Sequence, residues 1–302
     1  MIVGPTASGK SALALELAKK QALENRESVI INADSAQVYR DLQVLSARPR
    51  EEEMEGIPHH LYGYIDGADA CSAARWAKDA RKEIDSAHQK GILPILVGGT
   101  GMYVQTLIFG ISPIPRIDEN VRREVRALGT SDAYSKLQDE DPVSAKRLNP
   151  RDTTRIMRAL EVIRSTGKPL DHWHQQRTGG IGIDIRLYPL ILMPPREWLY
   201  ERCDRRFRQM MDQGAREEVE ALLARQLPDD CPVMRAIGVR EIADWINGDI
   251  GLEEAITRAQ AATRQYAKRQ YTWFRNQFPS AWPKTEMNIN NDNINDIVRL
   301  LQ

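Results

Sequence analysis

The first third of the chain alternates short apolar runs with stretches in which apolar residues recur at helical spacing. The runs are Met1–Val3, Val29–Ile31 and Ile92–Val97, and residues Ser11–Ala22 follow the helical pattern. This alternation is typical of a parallel sheet covered by helices. The pattern therefore predicts an α/β fold. Because only three residues form the first run, we also expect a slightly longer amino terminus.

Between residues 116 and 182 helical periodicity replaces the β-pattern. It predicts four helices, over residues 119–128, 131–138, 142–148 and 152–165. Asp152 is suited to cap the last helix at its start, and Gly167 is suited to end it.

A β-pattern returns at Ile185–Met193, and helical patterns follow it. We therefore predict a core formed by residues 1–115 and 183–302, which includes the carboxy-terminal helices. A helical domain at residues 116–182 is inserted into this core.

Composition excludes several classes of protein. Apolar residues make up 42% of the chain, which is enough for a buried core, so a mainly disordered protein is excluded. Apolar runs such as Ile92–Val97 fall far short of the roughly 20 residues that span a membrane. The first residues show no basic region followed by an apolar run, so we do not expect secretion. The three cysteines show no close pairing, which indicates reduced thiols. We expect a cytoplasmic monomer that contacts no membrane.

The net charge of zero hides a bias in the basic residues. Of the 42 basic side chains 31 are arginine, which is suited to fork-like contacts with phosphates. Residues 257–276 contain five basic side chains and no acidic one, so this segment can bind a polyanion. Aromatic residues interleave with them at Tyr271, Trp273 and Phe274, as in many single-strand binders. Trp273 and Phe274 also suit a buried core.

The strongest local motif is Gly4-Pro5-Thr6-Ala7-Ser8-Gly9-Lys10-Ser11, which lies between a β-run and a helical pattern. Its G-x-x-x-x-G-K-S spacing is typical of a P-loop, whose backbone N–H groups wrap a di- or triphosphate. Lys10 can neutralise phosphate charge, and Ser11 can ligate Mg²⁺. The motif predicts a P-loop NTPase-like core with a diphosphate site at Gly4, Thr6, Ala7, Ser8, Gly9, Lys10 and Ser11, and Mg²⁺ as the cofactor.

Two further polar positions follow predicted strands. Asp34 comes just after the second β-run, and Thr100 follows the third within Gly98-Gly99-Thr100-Gly101. The carboxyl ends of parallel strands face the ligand crevice, so both residues are expected near the phosphate loop. Asp34 can serve as a general base, a Mg²⁺ ligand or a helix N-cap. Thr100 can serve the site or cap the helix that follows.

These segments together resemble the tRNA dimethylallyltransferases, also called tRNA isopentenyltransferases. The resemblance covers residues 1 to about 278, and the motifs occur in the family's order. They are the phosphate loop, Asp34-Ser35-Ala36-Gln37-Val38-Tyr39, Ile57-Pro58-His59-His60-Leu61, Val97-Gly98-Gly99-Thr100-Gly101-Met102-Tyr103, and the segments 155–161, 236–241 and 264–275. Ser46-Ala47-Arg48-Pro49 departs from the family, where Gly-Thr usually begins this segment.

The resemblance implies transfer of a dimethylallyl group from dimethylallyl diphosphate to N6 of the adenine at position 37 of tRNA, next to the anticodon. Asp34 resembles the family's general base, and Thr100 resembles the residue beside the reacting groups. The partner implied is the tRNA anticodon loop. The residues that resemble its contacts are Asp34, Ser35, Ala36, Gln37, Thr100, Arg122, Thr154, Arg155, Ile156, Met157, Arg158, Arg235, Arg240, Lys268, Arg269 and Arg275.

The helix predicted over residues 152–165 separates basic from apolar side chains. At 100° per residue, Arg151, Arg155 and Arg158 lie close together around the helix, and Ile156 and Leu160 lie on a neighbouring face. One face can then dock while the other meets RNA. The alternative is an ordinary solvated face.

Three other functions are compatible with part of these motifs. A P-loop small-molecule kinase would also use a phosphate loop and a base such as Asp34, but the arginine-rich insertion speaks against it. An adenylate isopentenyltransferase would keep the loop without needing the basic segment 257–276. A non-catalytic RNA-binding protein is disfavoured by the phosphate loop together with Asp34.

Overall fold

The computed structural model describes residues 1–290 and 293–299, in which six short strands form one parallel sheet. The strands are β1 (Ile2–Val3), β2 (Ser28–Asn32), β3 (His59–His60), β4 (Leu93–Gly98), β5 (Leu190–Leu192) and β6 (Lys284–Thr285). Their order across the sheet is β3-β2-β4-β1-β5-β6. The predicted α/β fold with a parallel sheet is confirmed.

The register of the central strands brings three chain segments to one edge of the sheet. Val3 pairs with Gly98, and Asn32 pairs with Val97, so β1, β2 and β4 end at the same level. The phosphate loop, Asp34 and Thr100 follow these three ends directly. The edge at the carboxyl ends therefore holds the polar residues that the sequence singles out.

The strand predicted over Ile185–Met193 is wrong in length. Only Leu190–Leu192 pairs with neighbouring strands. Pro189 precedes this strand and has no N–H to donate to the ladder, which explains why pairing starts after it.

Helices surround the sheet within a core unit formed by Met1–Leu107 and Asp184–Gln302. The helices that begin in this unit are α1 (Lys10–Leu23), α2 (Glu51–Met54), α3 (Ala73–Gln89), α4 (Gly101–Phe109), α10 (Arg196–Asp212), α11 (Ala215–Ala224), α12 (Val239–Ile246), α13 (Leu252–Asn276) and α14 (Ile294–Arg299). A 3₁₀ helix spans Pro232–Arg235.

Helix α3 is an element that the sequence analysis did not predict. Its buried residues are Trp76, Ala80, Ile84 and Ala87, a spacing of three and four that places them on one face. The Trp76 indole N–H donates to the Asn32 carbonyl at 2.9 Å. This contact packs α3 against the end of β2, just before Asp34.

The second unit spans Ile108–Ile183 and is helical. Its helices are α5 (Glu119–Arg126), α6 (Thr130–Glu140), α7 (Pro142–Arg147), α8 (Thr153–Thr166) and α9 (Leu170–His174). The sequence placed the boundaries at 116 and 182, whereas the unit begins at residue 108. An antiparallel bridge between Ile111 and Thr178 joins the two ends of the unit, which explains why the residues before 116 belong to it.

The caps predicted for the fourth helix are confirmed. The Asp152 carboxylate accepts a hydrogen bond from the Arg155 N–H at 3.2 Å, and Gly167 ends α8 in the left-handed conformation. The buried face of α8 carries Ile156, Ala159 and Leu160, which join a hydrophobic cluster with residues of α5, α6 and α7. This cluster is the core of the second unit.

Within residues 1–290 and 293–299, no helix combines the length and apolar character that crossing a membrane requires.

Candidate active site

The phosphate loop lies where β1 ends and α1 begins. Gly4 has a φ of +156°, and a Cβ atom on it would lie 2.5 Å from the Leu192 carbonyl oxygen of β5, so the close approach of the two strands requires glycine. Gly9 precedes α1, whose N-terminus therefore points its N–H groups into the loop. The Ser8 hydroxyl is buried and has no hydrogen-bond partner among the described residues. An oxyanion ligand would satisfy such a hydroxyl.

Two cations face this loop. The Lys10 ammonium donates to the Pro5 carbonyl at 2.6 Å, and Arg206 of α10 donates to the Thr6 hydroxyl at 2.6 Å. The pKa of Lys10 is lowered to about 8, mainly by burial; the charge of Asp34 opposes this shift, and the nearby Arg206 adds to it. Burial also lowers the pKa of Arg206. Two desolvated cations beside a loop of N–H groups form a site for a strongly charged anion.

Asp34 is held at the end of β2 by its own backbone neighbours. One carboxylate oxygen, Oδ1, accepts from the Ala36 N–H at 2.9 Å, and the Asp34 N–H donates to the Asn32 side chain at 2.8 Å. The residues after Asp34 form turns and no helix, so the helix N-cap alternative is wrong. The carboxylate instead caps a turn with one oxygen, while Oδ2 lies on the side of Gly99.

Thr100 joins the Asp34 loop to the end of β4. Its hydroxyl oxygen accepts from the Ser35 N–H at 2.9 Å and donates to the Ser35 hydroxyl at 3.1 Å. The hydroxyl is thus used across the sheet edge and does not cap the helix that follows. Tyr266 of α13 lies beside Thr100 and Ser35, and both hydroxyl groups oppose the upward shift of its pKa. Burial raises the pKa of Tyr266, with the Asp34 charge adding to this shift, so the phenol stays protonated.

Part of this group of residues lines a pocket of about 370 Å³ in the core unit. Asp34, Arg206 and Tyr266 line it beside apolar side chains such as Phe207 and Met210. A pocket with an apolar wall and a few convergent charged groups is the usual form of a small-ligand site. It can hold an apolar group next to a carboxylate and a cation.

The predicted nucleic-acid contacts in the core unit lie in different settings. Arg235 and Arg269 line the pocket, together with Ser35 and Ala36. Arg240, Lys268 and Arg275 are exposed on α12 and α13. Gln37 uses its amide N–H₂ to hold the backbone carbonyls of Ser46 and Ala47, at 3.0 and 2.9 Å.

Two basic residues of the acid-free segment 257–276 have acidic partners from outside it. Arg258 pairs with Glu254 one turn earlier, and Arg264 pairs with Asp204 of α10 at 2.6 Å. Phe274 is fully buried, so the core alternative holds for this residue. The basic surface of α13 is therefore smaller than the sequence implies.

In the second unit, α8 exposes the residues that the sequence assigns to RNA, with one exception. Thr154 and Arg155 are exposed, and Met157 and Arg158 are half-buried. Ile156 is the exception: its side chain is fully buried in the hydrophobic cluster, so a tRNA contact from this residue would have to come from its backbone.

A buried carboxylate organises the arginines beside α8. Glu161 is 3% exposed, and it accepts from Arg126 of α5 at 3.1 Å while Arg158 lies 3.6 Å from its other oxygen. Arg122 of α5 pairs with Glu119 at 3.6 Å. These pairs hold the guanidinium groups of α5 and α8 on one surface of the unit.

A metal ion would need a ligand beyond the protein. Among the described residues, no three or more His, Cys, Asp or Glu side chains form a group that could hold one. Mg²⁺ commonly takes one or two protein ligands and completes its octahedron with substrate phosphates and water. Ser11 is exposed in the first turn of α1 and offers an oxygen of the required type. The residues present fit an ion that is shared with a bound phosphate.

Sequence reasoning missed three residues of the site. Arg206 lies in an arginine-rich helix without any local motif. Gln270 and Tyr266 lie in the basic segment 257–276, and their side chains are neutral, so the charge pattern does not identify them. Their spacing of four residues, which places them on the same face of a helix, is the one signal that could have found them.

Comparison with known proteins gives a consistent result. A sequence model of the family described as IPP transferase matches residues 37–277. The tRNA dimethylallyltransferase of Novosphingobium aromaticivorans is 60% identical over 277 residues, which is 91% of this chain and 99% of that protein. The tRNA dimethylallyltransferase of Erythrobacter litoralis is 58% identical over 286 residues, which is 95% of this chain and 90% of that protein.

Solved structures are similar over the same length. The tRNA isopentenylpyrophosphate transferase of Bacillus halodurans superposes with a TM-score of 0.68 at 36% identity, covering 99% of this chain and 93% of that one. A eukaryotic dimethylallyltransferase described as acting on tRNA superposes with a TM-score of 0.73 at 30% identity, covering 90% of this chain and 68% of that one.

Proposed function

The chain belongs to the IPP transferase family, and from this premise we propose that it transfers a dimethylallyl group from dimethylallyl diphosphate to a tRNA adenine. As a member of this family the chain is an enzyme, a transferase that modifies tRNA. The acceptor proposed is N6 of the adenine at position 37, next to the anticodon. The chemistry of the pocket supports this donor, this acceptor atom and the residues proposed to serve them.

The observation that carries the proposal is the pairing of a carboxylate with two desolvated cations around one pocket. Asp34 and Arg206 both line it. Lys10 lies in the adjoining phosphate loop, where the negative charge of Asp34 raises its pKa against the effect of burial. Transfer of an allyl group from a diphosphate to an amine needs these two functions together. One group accepts a proton from the nucleophile, and the others stabilise a departing anion.

At the acceptor, Asp34 is the proposed general base. The adenine N6 amine is a poor nucleophile because its lone pair is delocalised into the ring, so proton transfer as the C–N bond forms assists attack. Oδ1 is occupied by the Ala36 N–H, which leaves Oδ2 for the proton. Thr100 and Ser35 hold this loop in place. The base must leave the stack to reach the pocket, as in other enzymes that act on a nucleobase.

At the donor, the C–O bond to the diphosphate breaks and negative charge grows on the leaving oxygen. Lys10, Arg206 and the loop N–H groups are placed to stabilise that charge. Mg²⁺, held by the Ser11 hydroxyl together with donor phosphate oxygens, would supply further charge neutralisation. The apolar wall beside Phe207 suits the prenyl tail.

The tRNA contacts proposed lie in both units. In the core unit they are Ser35, Ala36, Arg235, Arg240, Lys268, Arg269 and Arg275, and in the second unit they are Arg122, Thr154, Arg155, Met157 and Arg158. None of these residues is fully buried, which supports the assignment: Ser35, Ala36, Arg122, Met157 and Arg158 are half-buried, and the others are exposed. Arginine dominates because its fork suits phosphate oxygens.

A labelling experiment tests the proposal. The protein is incubated with dimethylallyl diphosphate labelled in the prenyl group, Mg²⁺ and either tRNA, AMP or a tRNA whose adenine at position 37 is replaced by guanine. We expect label only on the unaltered tRNA. Label on AMP would indicate an adenylate isopentenyltransferase, and ADP formed when ATP is added to the incubation would indicate a kinase. Equal label on the guanine variant would reject position 37.

A further inference from the structure

Gln270 of α13 connects the phosphate loop to the loop after β4. Its side-chain oxygen accepts from the Thr6 N–H at 2.7 Å, and its side-chain nitrogen donates to the Gly99 carbonyl at 2.8 Å. The residue is only 6% exposed. One buried amide therefore satisfies a backbone donor of one loop and a backbone acceptor of the other.

Few side chains could take this place. A carboxylate accepts at both ends and an ammonium donates at both ends, whereas the link needs one acceptor and one donor. Gly99 leaves space for the amide, because a Cβ atom on that residue would collide with the Gln270 nitrogen. Gly99 and Gln270 are therefore sterically matched, although they lie far apart in the chain.

In the proposed function one of the two loops binds the donor, and the other supports the residues that act on the acceptor. Thr6 belongs to the loop assigned to the donor diphosphate. Gly99 precedes Thr100, whose hydroxyl holds Ser35 beside the proposed base Asp34. The distance between the loops thus sets the distance between the departing diphosphate and the attacking nitrogen.

We propose that Gln270 is a positioning residue that holds the donor loop and the acceptor loop at the separation required for transfer. The assignment rests on the proposed function and adds a determinant of its geometry. Tyr266, one turn earlier on α13, lies beside Thr100 and Ser35 on the acceptor side. Gln270 reaches both sides.

The test replaces the amide with an apolar side chain of similar length. Gln270→Met removes both hydrogen bonds, and Gln265→Met is the matched control because Gln265 is exposed on the same helix. We expect the single-turnover rate at saturating donor and tRNA to fall about 10- to 100-fold in Gln270→Met, since small misplacements of reacting groups cost rates of this size. The affinities for tRNA and for inorganic diphosphate should change less than about fivefold. The control should match the parent.

A second variant keeps the proposal testable if Gln270→Met folds poorly. Gln270→Glu retains the shape of the side chain, and its carboxyl can replace both hydrogen bonds only when it is protonated. The ratio of its single-turnover rate to that of the parent should therefore rise as the pH is lowered from about 8 to 6. Thermal melts recorded beside the assays separate a loss of stability from a loss of positioning.

Two results would overturn the assignment. The first is a Gln270→Met rate within about twofold of the parent at saturation. The second is a lowered melting temperature with an unchanged rate well below that temperature, which would make Gln270 a purely structural residue. An inactive parent would reject the proposed function and this assignment with it, whereas an active parent with an equally active Gln270→Met rejects the assignment alone.

Discussion

The pKa values and anion affinity of the cationic side chains in the site depend on how much hydration each loses on burial. Lys10 and Arg206 are cations whose pKa values burial lowers, and both approach the same loop. Desolvation makes each cation less stable when alone and more attractive to a phosphate, because the low dielectric strengthens their interaction. Asp34 provides the counter-charge when no ligand is bound. The site is therefore prepared for an anion before the anion arrives.

The first prediction concerns the pH dependence of diphosphate binding. The lowered pKa of Lys10, about 8, means that its charged fraction declines above this pH, well before an exposed lysine would lose its proton. Binding of an anion requires the charged form, so affinity for inorganic diphosphate should fall by up to about tenfold per pH unit above pH 8. Isothermal titration calorimetry from pH 7 to 9.5 measures it.

The control for this experiment is Lys10→Met, which should bind diphosphate weakly at every pH and show no midpoint near 8. An affinity in the parent that stays level up to pH 9.5 would contradict the prediction. It would mean that Lys10 keeps its proton or lies away from the ligand.

The second prediction separates the two remaining roles of Asp34. Asp34→Asn preserves an oxygen for the Ala36 N–H, so the loop should keep its shape. If Asp34 is the general base, the single-turnover rate should fall about 10²- to 10⁴-fold with unchanged affinities for tRNA and donor. If it ligates Mg²⁺, donor binding should weaken, and added Mg²⁺ should restore part of the loss. Rates measured across Mg²⁺ concentrations distinguish the two, and full activity in the variant would exclude both.

Helices α8 and α13 show how one element divides its faces between packing and binding. Each carries a buried stripe, and each presents basic side chains elsewhere on its surface. On α13 Arg258 and Arg264 form ion pairs within the protein. The Arg155 side chain of α8 is 70% exposed, and it lies 3.6 Å from the Asp152 carboxylate. An exposed pair of this kind contributes little to stability, so Arg155 can change partner at small cost.

The third prediction follows from that exposure. Arg155→Glu should weaken tRNA binding and lower the slope of its salt dependence by about one, because each phosphate contact releases counterions. Lys146→Glu is the matched control, since Lys146 is an exposed cation of α7 in the same unit and the charge change is equal. Binding is measured by filter assay from 50 to 200 mM salt. Equal losses in the two variants would make Arg155 part of a general electrostatic effect.

At the scale of the whole molecule, the edge strands of the sheet are too short to pair extensively with a second copy of the chain. The edge strands β3 and β6 contain two residues each. Long exposed edge strands promote association between chains, because their unpaired N–H and C=O groups can continue the ladder. Edges this short provide few such groups.

The fourth prediction is that the protein is a monomer in solution. Light scattering after size exclusion should give a mass close to 34.3 kDa, unchanged over a tenfold range of concentration. A mass near twice this value would contradict the prediction and would call for an interface away from the sheet edges.

Local patterns determined much of this protein. The phosphate loop was predictable because its conformation depends on glycines and on the start of a helix that lie within eight consecutive residues. Helices α5 to α8 of the second unit were predictable because they carry apolar residues at helical spacing and begin at local caps such as Asp152, whereas the short helix α9 was not predicted. The positions of Asp34 and Thr100 at one edge followed from the rule that parallel strands end together.

Other features were decided by the tertiary structure alone. Gln270 meets Thr6 across 264 residues, and Arg206 meets the same residue across 200, so no local pattern reports either contact. Arg264 forms an ion pair with Asp204, and the side chain of Ile156 is buried in the core of the second unit. In each case the physical reason is the same. Burial and partnership depend on which helix packs over which strand end, and that choice is made by the whole core.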